Sequence, residues 1–246
     1  MRIAIAGATG AVGAHVVDVA RRRGHEVVSL SRSQGVDLLD ARAVARALDC
    51  AEAVIDVSSI ATTSQSASVA YFEASTANLL AGGEAAGVKH HVALSIVNID
   101  RAPSGYYAGK VLQERLVSDG PVPWSILRAT QFHEFAGQIY ERGRIGPVHA
   151  VPIMRTQPVA AAEVAERLVD LAESDARGRA RDLAGPREER LIDLVRASAS
   201  VGGFRGPIIS IPLPGEMGAA MRSGALLPGP DAQRGVLTFS EWLRAR

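Results

Sequence analysis

The sequence is poor in the residues that several common chemistries require. One cysteine, Cys50, stands in 246 residues, which excludes an internal disulfide framework and any cysteine-rich metal cluster. Neither sign of charge is in excess. The 27 basic and 26 acidic side chains leave a formal net charge of +1, where nucleic-acid-binding proteins usually show a strong basic surplus. No apolar run reaches the roughly 18 residues that span a bilayer. The N-terminus lacks the basic, apolar and cleavage-site succession of a signal peptide. We therefore expect a cytoplasmic protein with no membrane and no nucleic-acid partner. His-Glu-x-x-His, Cys-x-x-Cys and Gly-x-Ser-x-Gly are also missing, so neither a metal site nor serine hydrolysis is expected. Lysine is nearly absent: Lys89 and Lys110 are the whole supply, against many arginines.

What is present alternates between strand-like and helix-like segments. Apolar, β-branched runs at Arg2–Ala6, Glu26–Ser31, Ala53–Val57, His90–Ile96 and Ser125–Arg128 read as strands, with a weaker one near Val36–Leu38. Strands so uniformly apolar suit a parallel sheet covered on both faces. Val12–Arg23, Ala41–Leu48, Tyr71–Ala86, Tyr107–Ser118 and Ala161–Ser174 read as helices. The rhythm predicts an α/β fold, a Rossmann-type doubly wound parallel sheet, with its ligand crevice at the C-terminal ends of the strands. After about residue 130 the rhythm gives way to pieces punctuated by Gly and Pro. We expect one domain over 1–246, with a nucleotide-binding core at 1–130. Residues 131–246 would add the remaining sheet elements and a small substrate-covering lobe.

The first thirteen residues carry the clearest chemistry. The strand Ile3 to Ala6 ends at Gly7, and Gly10 and Gly13 follow at three-residue spacing before a helix. Gly7 permits a tight turn, Gly10 lets a pyrophosphate approach the backbone, and Gly13 lets the helix pack against the strand. The helix N-terminus then faces the anion. The second strand ends at Ser31-Arg32-Ser33 with no carboxylate. An arginine there pairs with a 2′-phosphate that a carboxylate would repel, so NADP(H) is expected over NAD(H). Asp37 and Leu38 are placed to meet the adenine, and Val57, Ser58 and Ser59 to run beside the pyrophosphate and ribose. Either group also suits ordinary strand-end capping.

Tyr106 and Lys110 stand four residues apart on a helix and share a face. An ammonium near a phenol lowers the phenol's pKa from about 10, and such a tyrosine exchanges a proton with a substrate oxygen as hydride moves. Ser95, at a strand end, is the candidate partner for the same oxygen. Tyr107 is the alternative phenol. The pair His90-His91 points to opposite faces of its strand, which argues against a joint metal site. His133 and Glu134 read either as pocket residues or as a helix's first turn. Phe132 and Phe135 are candidates for walling an aromatic substrate.

Three segments, Gly7-Ala-Thr-Gly10-Ala-Val-Gly13, Ala86-Gly-Val-Lys-His-His-Val-Ala-Leu-Ser95 and Tyr106-Tyr-Ala-Gly-Lys110, resemble the atypical short-chain dehydrogenase/reductases. The nearest branch is the NmrA-like NAD(P)H-binding proteins, which Trp124-Ser-Ile-Leu-Arg128-Ala-Thr-Gln-Phe132 and Thr238-Phe-Ser-Glu-Trp242-Leu also resemble. The resemblance implies a Rossmann fold, a nicotinamide nucleotide and reduction of a small carbonyl or quinone-like acceptor. It implies a phosphate loop of Gly7, Thr9, Gly10, Ala11, Val12 and Gly13, with Arg32 on the 2′-phosphate. Lys110 would bond the nicotinamide ribose, and Ala129, Thr130 and Phe132 would border the nicotinamide. Ser95 and Tyr106 are closer in sequence than in most members with a serine–tyrosine–lysine set, and Gly105 and Gly109 weaken the helix start. Two functions from different classes follow. One is an NADPH-dependent oxidoreductase acting on a small molecule. The other is a non-catalytic NADP(H)-binding redox sensor that acts through a protein partner. Nucleotide-sugar epimerisation is the weaker third reading. Edge helices in such folds commonly make homodimers.

Overall fold

The computed structural model describes residues 1–245. Its elements run β1 (Arg2–Ala6), α1 (Gly13–Arg22), β2 (Glu26–Leu30), α2 (Ala41–Ala47), β3 (Ala53–Asp56), α3 (Gln65–Ala86), β4 (His90–Ile96), α4 (Tyr106–Asp119) and β5 (Trp124–Ala129). The chain continues through α5 (Phe135–Arg142), β6 (Arg144–Ile145), β7 (Val148–Pro152), β8 (Arg155–Thr156), α6 (Ala161–Ala172), β9 (Gly178–Arg179) and β10 (Leu183–Ala184). It closes with β11 (Glu189–Arg190), α7 (Leu191–Val201), β12 (Ile208–Ile211), α8 (Gly215–Ser223), β13 (Gln233–Arg234) and α9 (Phe239–Arg244). These elements form two compact units. The first holds Met1–Ser95, Pro103–Arg128 and Ala162–Arg181; the second holds Ile96–Ala102, Ala129–Ala161 and Asp182–Arg246.

The first unit is built on a parallel sheet in the order β2-β1-β3-β4-β5, with β9 added beside β5. Alternation along β1 assigns its two faces. Ala4 and Ala6 join Leu30, Val44, Leu48, Val54 and Leu79 in one buried cluster under α2 and α3. Ile3 and Ile5 are fully buried and point to the opposite face, the side available to α1. The end of α1 is tied to α6 by Arg23, which bonds Glu166 at 2.5 Å, Asp170 at 2.8 Å and Glu173 at 2.7 Å. With apolar side chains covered on both faces, this is the expected doubly wound α/β arrangement.

The weak strand near Val36–Leu38 is absent. A 3-10 turn at Arg32–Gln34 follows β2, and Asp37 then caps a turn by accepting the Leu39 N–H at 3.0 Å. That local bond gives the backbone an alternative to ladder pairing, and β2 is left as the sheet edge. Helix α3 starts six residues earlier than expected. Ser64 supplies an N-cap at 3.4 Å to the Ala67 N–H, so its polar first turns are helical despite lacking an apolar period.

In the second unit, β12 lies parallel and β6 antiparallel to β7, while β8 pairs antiparallel with β11. β10 pairs with β13. Thr238 and Glu241 close a capping box on α9, which docks through His133. The His133 ring bonds the Leu237 carbonyl at 3.0 Å and packs against Phe239 and Trp242 at centroid distances of 5.6 and 5.4 Å. No helix among the described residues is long and apolar enough to cross a membrane.

Candidate active site

The glycine loop forms as its spacing suggests. Gly7 has φ +82°, and a Cβ there would lie 2.8 Å from Val57 O and 2.9 Å from Ser58 Cα. A Cβ on Gly13 would lie 2.0 Å from Gly7 O. Both contacts are impossible for any residue with a side chain, so they seat the turn against the end of β3 and the helix against the turn. Gly10 donates to Gly7 O at 2.9 Å and accepts from Ala14 N–H at 3.0 Å. Thr9, Gly10 and Ala11 are exposed, while Val12 is buried. Helix α1 has no side-chain cap at Val12 and no acidic residue in its first turn. Its free N–H groups and positive dipole end are therefore open to an anion.

Along the edge of this loop, Ser31 is buried and its hydroxyl meets that of Ser33 at 3.1 Å. Arg32 is exposed; its carbonyl accepts the Gly35 N–H at 3.1 Å, and its guanidinium makes no hydrogen bond or ion pair among the described residues. Leu38 is buried, and its carbonyl accepts from Asn78 of α3 at 2.9 Å. Val57 is half-buried and Ser58 buried, while Ser59 is exposed. This cradle fits the phosphates of a nucleotide: glycines pressed against backbone, an uncapped helix end, and an unpaired guanidinium.

Helix α4 brings the second set of candidates to the same side of the sheet. Gly105, its N-cap, has φ +57°. A Cβ on Gly109 would lie 2.2 Å from Ser68 Oγ and 2.7 Å from Phe72 Cδ2. Gly109, which weakens the helix intrinsically, is thus what lets α4 lie close against α3, while a Cβ on Gly105 would lie 3.1 Å from Thr63 O. Ser68 Oγ also donates to the Tyr106 carbonyl at 2.8 Å. The close packing carries Tyr106 to Ser59, whose hydroxyls meet at 2.9 Å. Gly7, Ser58, Ser59 and Tyr106 therefore form a continuous chain of contacts.

Lys110 is buried beneath them. Its ammonium donates to Leu94 O at 2.6 Å and to Gln113 Oε1, and lies 4.9 Å from the Phe72 ring centroid. Burial pushes its pKa down to about 8, against the charges of Asp56 and Glu114, which favour the proton. The phenol of Tyr106 departs from expectation. Burial raises its pKa, the Ser59 bond opposes this, and the Asp56 charge adds to the rise. The reason is geometric: the lysine head is engaged by Leu94 and Gln113, so the nearby charge felt by the phenol is a carboxylate. Tyr71 is likewise pushed up to about 12 by burial, then by Asp56.

Ser95 makes no hydrogen bond to Tyr106 through its Oγ. It is buried, and its hydroxyl faces Glu114 closely enough to favour the ionised carboxyl, although its geometry falls short of a formed hydrogen bond. Burial works against the charge on Glu114. It is outweighed by Arg128, which binds with Nε and Nη2 each at 2.8 Å, and by Arg179 at 2.8 Å. Ala129, Thr130 and Phe132 belong to the second unit. There Thr130 donates its hydroxyl to Gln157 O at 2.6 Å and Phe132 bridges Val159. Sequence reasoning passed over Asp56 and Gln113, and read Ser59 for the nucleotide without its contact to Tyr106. A carboxylate inside an otherwise apolar strand, Ala53-Val-Ile-Asp56, was the available signal.

The geometry defines a Rossmann unit built to hold a nucleotide at the C-terminal ends of its strands. Residues 7–175 match the NAD(P)H-binding family, and the chain belongs to that family. Its fold is shared with the NADPH-dependent quinone oxidoreductase QOR2 from Escherichia coli, at 19% identity and TM-score 0.72 over 99% of this chain and 98% of that one. The same enzyme complexed with NADPH gives the same identity and score over 99% of both chains. A nucleoside-diphosphate-sugar epimerase from Staphylococcus aureus is similar at 15% identity and TM-score 0.71, over 99% of this chain and 100% of that one. No curated protein matches the chain.

Proposed function

We propose that the protein is an NADPH-dependent oxidoreductase that reduces a small carbonyl or quinone-like acceptor. The observation that carries this reading is the Tyr106–Ser59 hydroxyl pair beside the glycine loop, with Lys110 buried below it. Gly7, Thr9, Gly10, Ala11, Val12 and Gly13 would hold the pyrophosphate, with Ser31 and Arg32 on the 2′-phosphate. When bound, the reduced nicotinamide supplies a hydride to the acceptor. The chain must then deliver a proton to the acceptor oxygen. A buried phenol whose pKa is raised stays protonated at neutral pH, which suits a donor. Ser59 orients that hydroxyl, and Lys110 supplies positive charge as negative charge develops on oxygen. The quinone oxidoreductase similarity supports this acceptor class without specifying it.

The test is nucleotide oxidation by purified protein against a panel of quinones and aldehydes. Lys110→Ala is expected to lower turnover about a thousandfold and Tyr106→Phe about a hundredfold. Unchanged turnover in both variants would overturn the reading and leave nucleotide sensing through a protein partner as the better account.

A further inference from the structure

We propose that Asp56 and Gln113 are positioning residues for Lys110, forming a carboxylate–amide relay that fixes the direction of the lysine head and supplies its countercharge through one side-chain amide. This rests on the oxidoreductase reading for its catalytic meaning but on geometry for its existence. Lys110 and Gln113 are one helical turn apart on α4 and share a face. A lysine head has three donors and no acceptor. Leu94 O takes one at 2.6 Å, and Gln113 Oε1 takes a second. The other end of the same amide, Gln113 Nε2, donates to Asp56 Oδ2 at 2.7 Å, while Asp56 Oδ1 accepts the Ser58 N–H at 2.9 Å.

Because an ionised carboxylate only accepts, Gln113 must turn its NH2 toward Asp56 and its carbonyl toward Lys110. Its amide has one orientation consistent with both neighbours. All three side chains are sealed from solvent, with Asp56 at 0%, Gln113 at 1% and Lys110 at 4% relative exposure. A burial so complete is costly for an ammonium unless a countercharge is near. A direct ion pair would draw the lysine head onto β3. The intervening amide keeps it at the end of β4 instead, over the Phe72 ring.

Other ionisable groups around the lysine do not replace Asp56. Glu114, on α4 itself, is engaged by Arg128 and Arg179. His91, on β4, is fully buried and its pKa is lowered by that burial, which favours the neutral ring. Tyr106 on α4 and Tyr71 on α3 are both shifted toward the protonated form by burial. Asp56 also touches the nucleotide end of the sheet through Ser58, which packs against Gly7. The relay thus connects the phosphate-loop side of β3 to the lysine on α4.

The chain's two lysines make a direct test practical. Protein with Lys89→Arg, grown on isotope-labelled lysine, reports Lys110 alone by NMR. Its titration is expected near pH 8. Asp56→Asn should lower that midpoint by about one unit, and Gln113→Glu should raise it by a similar amount. A purely structural role would change the melting temperature and leave both midpoints in place, which overturns the proposal. In the parent, the Gln113 side-chain amide protons should exchange slowly; exchange as fast as that of a surface glutamine would equally overturn it, whatever the variants' folding. The two readings fail separately. Moved midpoints without nucleotide-dependent turnover would retain the relay and sink the oxidoreductase. Loss of turnover in Lys110→Ala with unmoved midpoints would do the reverse.

Discussion

The two ends of strand β4 are furnished with similar residue types and differ in what surrounds them. Before its N-terminal end stands Lys89, exposed, in a concave patch of about 400 Å³ lined by Glu52, His90, Pro123, Glu173 and Asp175. At its C-terminal end the Leu94 carbonyl takes the head of Lys110, buried and tied through Gln113 to Asp56. Both are lysines in a chain that otherwise uses arginine. The first stands in water; the second is buried among a built set of partners. Rarity of a residue type marks a candidate, and burial with assigned partners separates the candidate from the bystander.

The C-terminal end of β4 depends first on the glycine loop. Gly13→Ala forces a Cβ to within 2.0 Å of Gly7 O, and neither backbone segment has room to give. We expect a loss of about 3 kcal/mol of stability and loss of nucleotide binding, measured by denaturant titration and by fluorescence of bound NADPH. A variant that binds normally would show that the loop is not the cradle.

The next expected effect concerns the buried lysine. The folded pKa of Lys110, about 8, lies below its ordinary value of 10.5. Below pH 8 the buried ammonium therefore destabilises the fold in full, by about 3 kcal/mol. From pH 8 to about 10.5 the unfolded chain binds more protons than the folded one, so this contribution to stability rises with pH. The stability of Lys110→Met relative to the parent should accordingly be more favourable at pH 7 than at pH 9.5. Urea unfolding at the two pH values checks this, and a pH-independent gap for Lys110 would refute the assignment.

Much of this end was legible from residue order. Gly7, Gly10 and Gly13 between an apolar strand and a helix specify a turn that few other folds need, and the structure gives them the contacts their spacing implies. Five of the strands follow from uniform apolar runs. The strand near Val36–Leu38 does not, because the Asp37 side chain satisfies the backbone locally. The Ser59–Tyr106 contact was hidden for a related reason. It depends on the approach of α4 to α3 through Gly109 and Ser68, a tertiary fact that residue spacing does not encode. The same holds for Asp56 and Gln113, which are 57 positions apart. In the second unit, α7 and β12 were missed because short elements between Gly and Pro residues carry little periodic signal. His133 resolves as an anchor for α9, held by Leu237, Phe239 and Trp242.

A calorimetric titration with NADPH and, separately, NADH, repeated on Arg32→Ala, decides whether the glycine loop holds a nucleotide. Arg32 is exposed and its guanidinium has no hydrogen-bonding or ion-pairing partner among the described residues, so it is available to a 2′-phosphate. We expect micromolar NADPH binding, about tenfold or more tighter than NADH, with the difference abolished in Arg32→Ala. Binding of neither nucleotide would contradict the central claim, because the loop beside Ser59, Tyr106 and Lys110 would then be a structural turn.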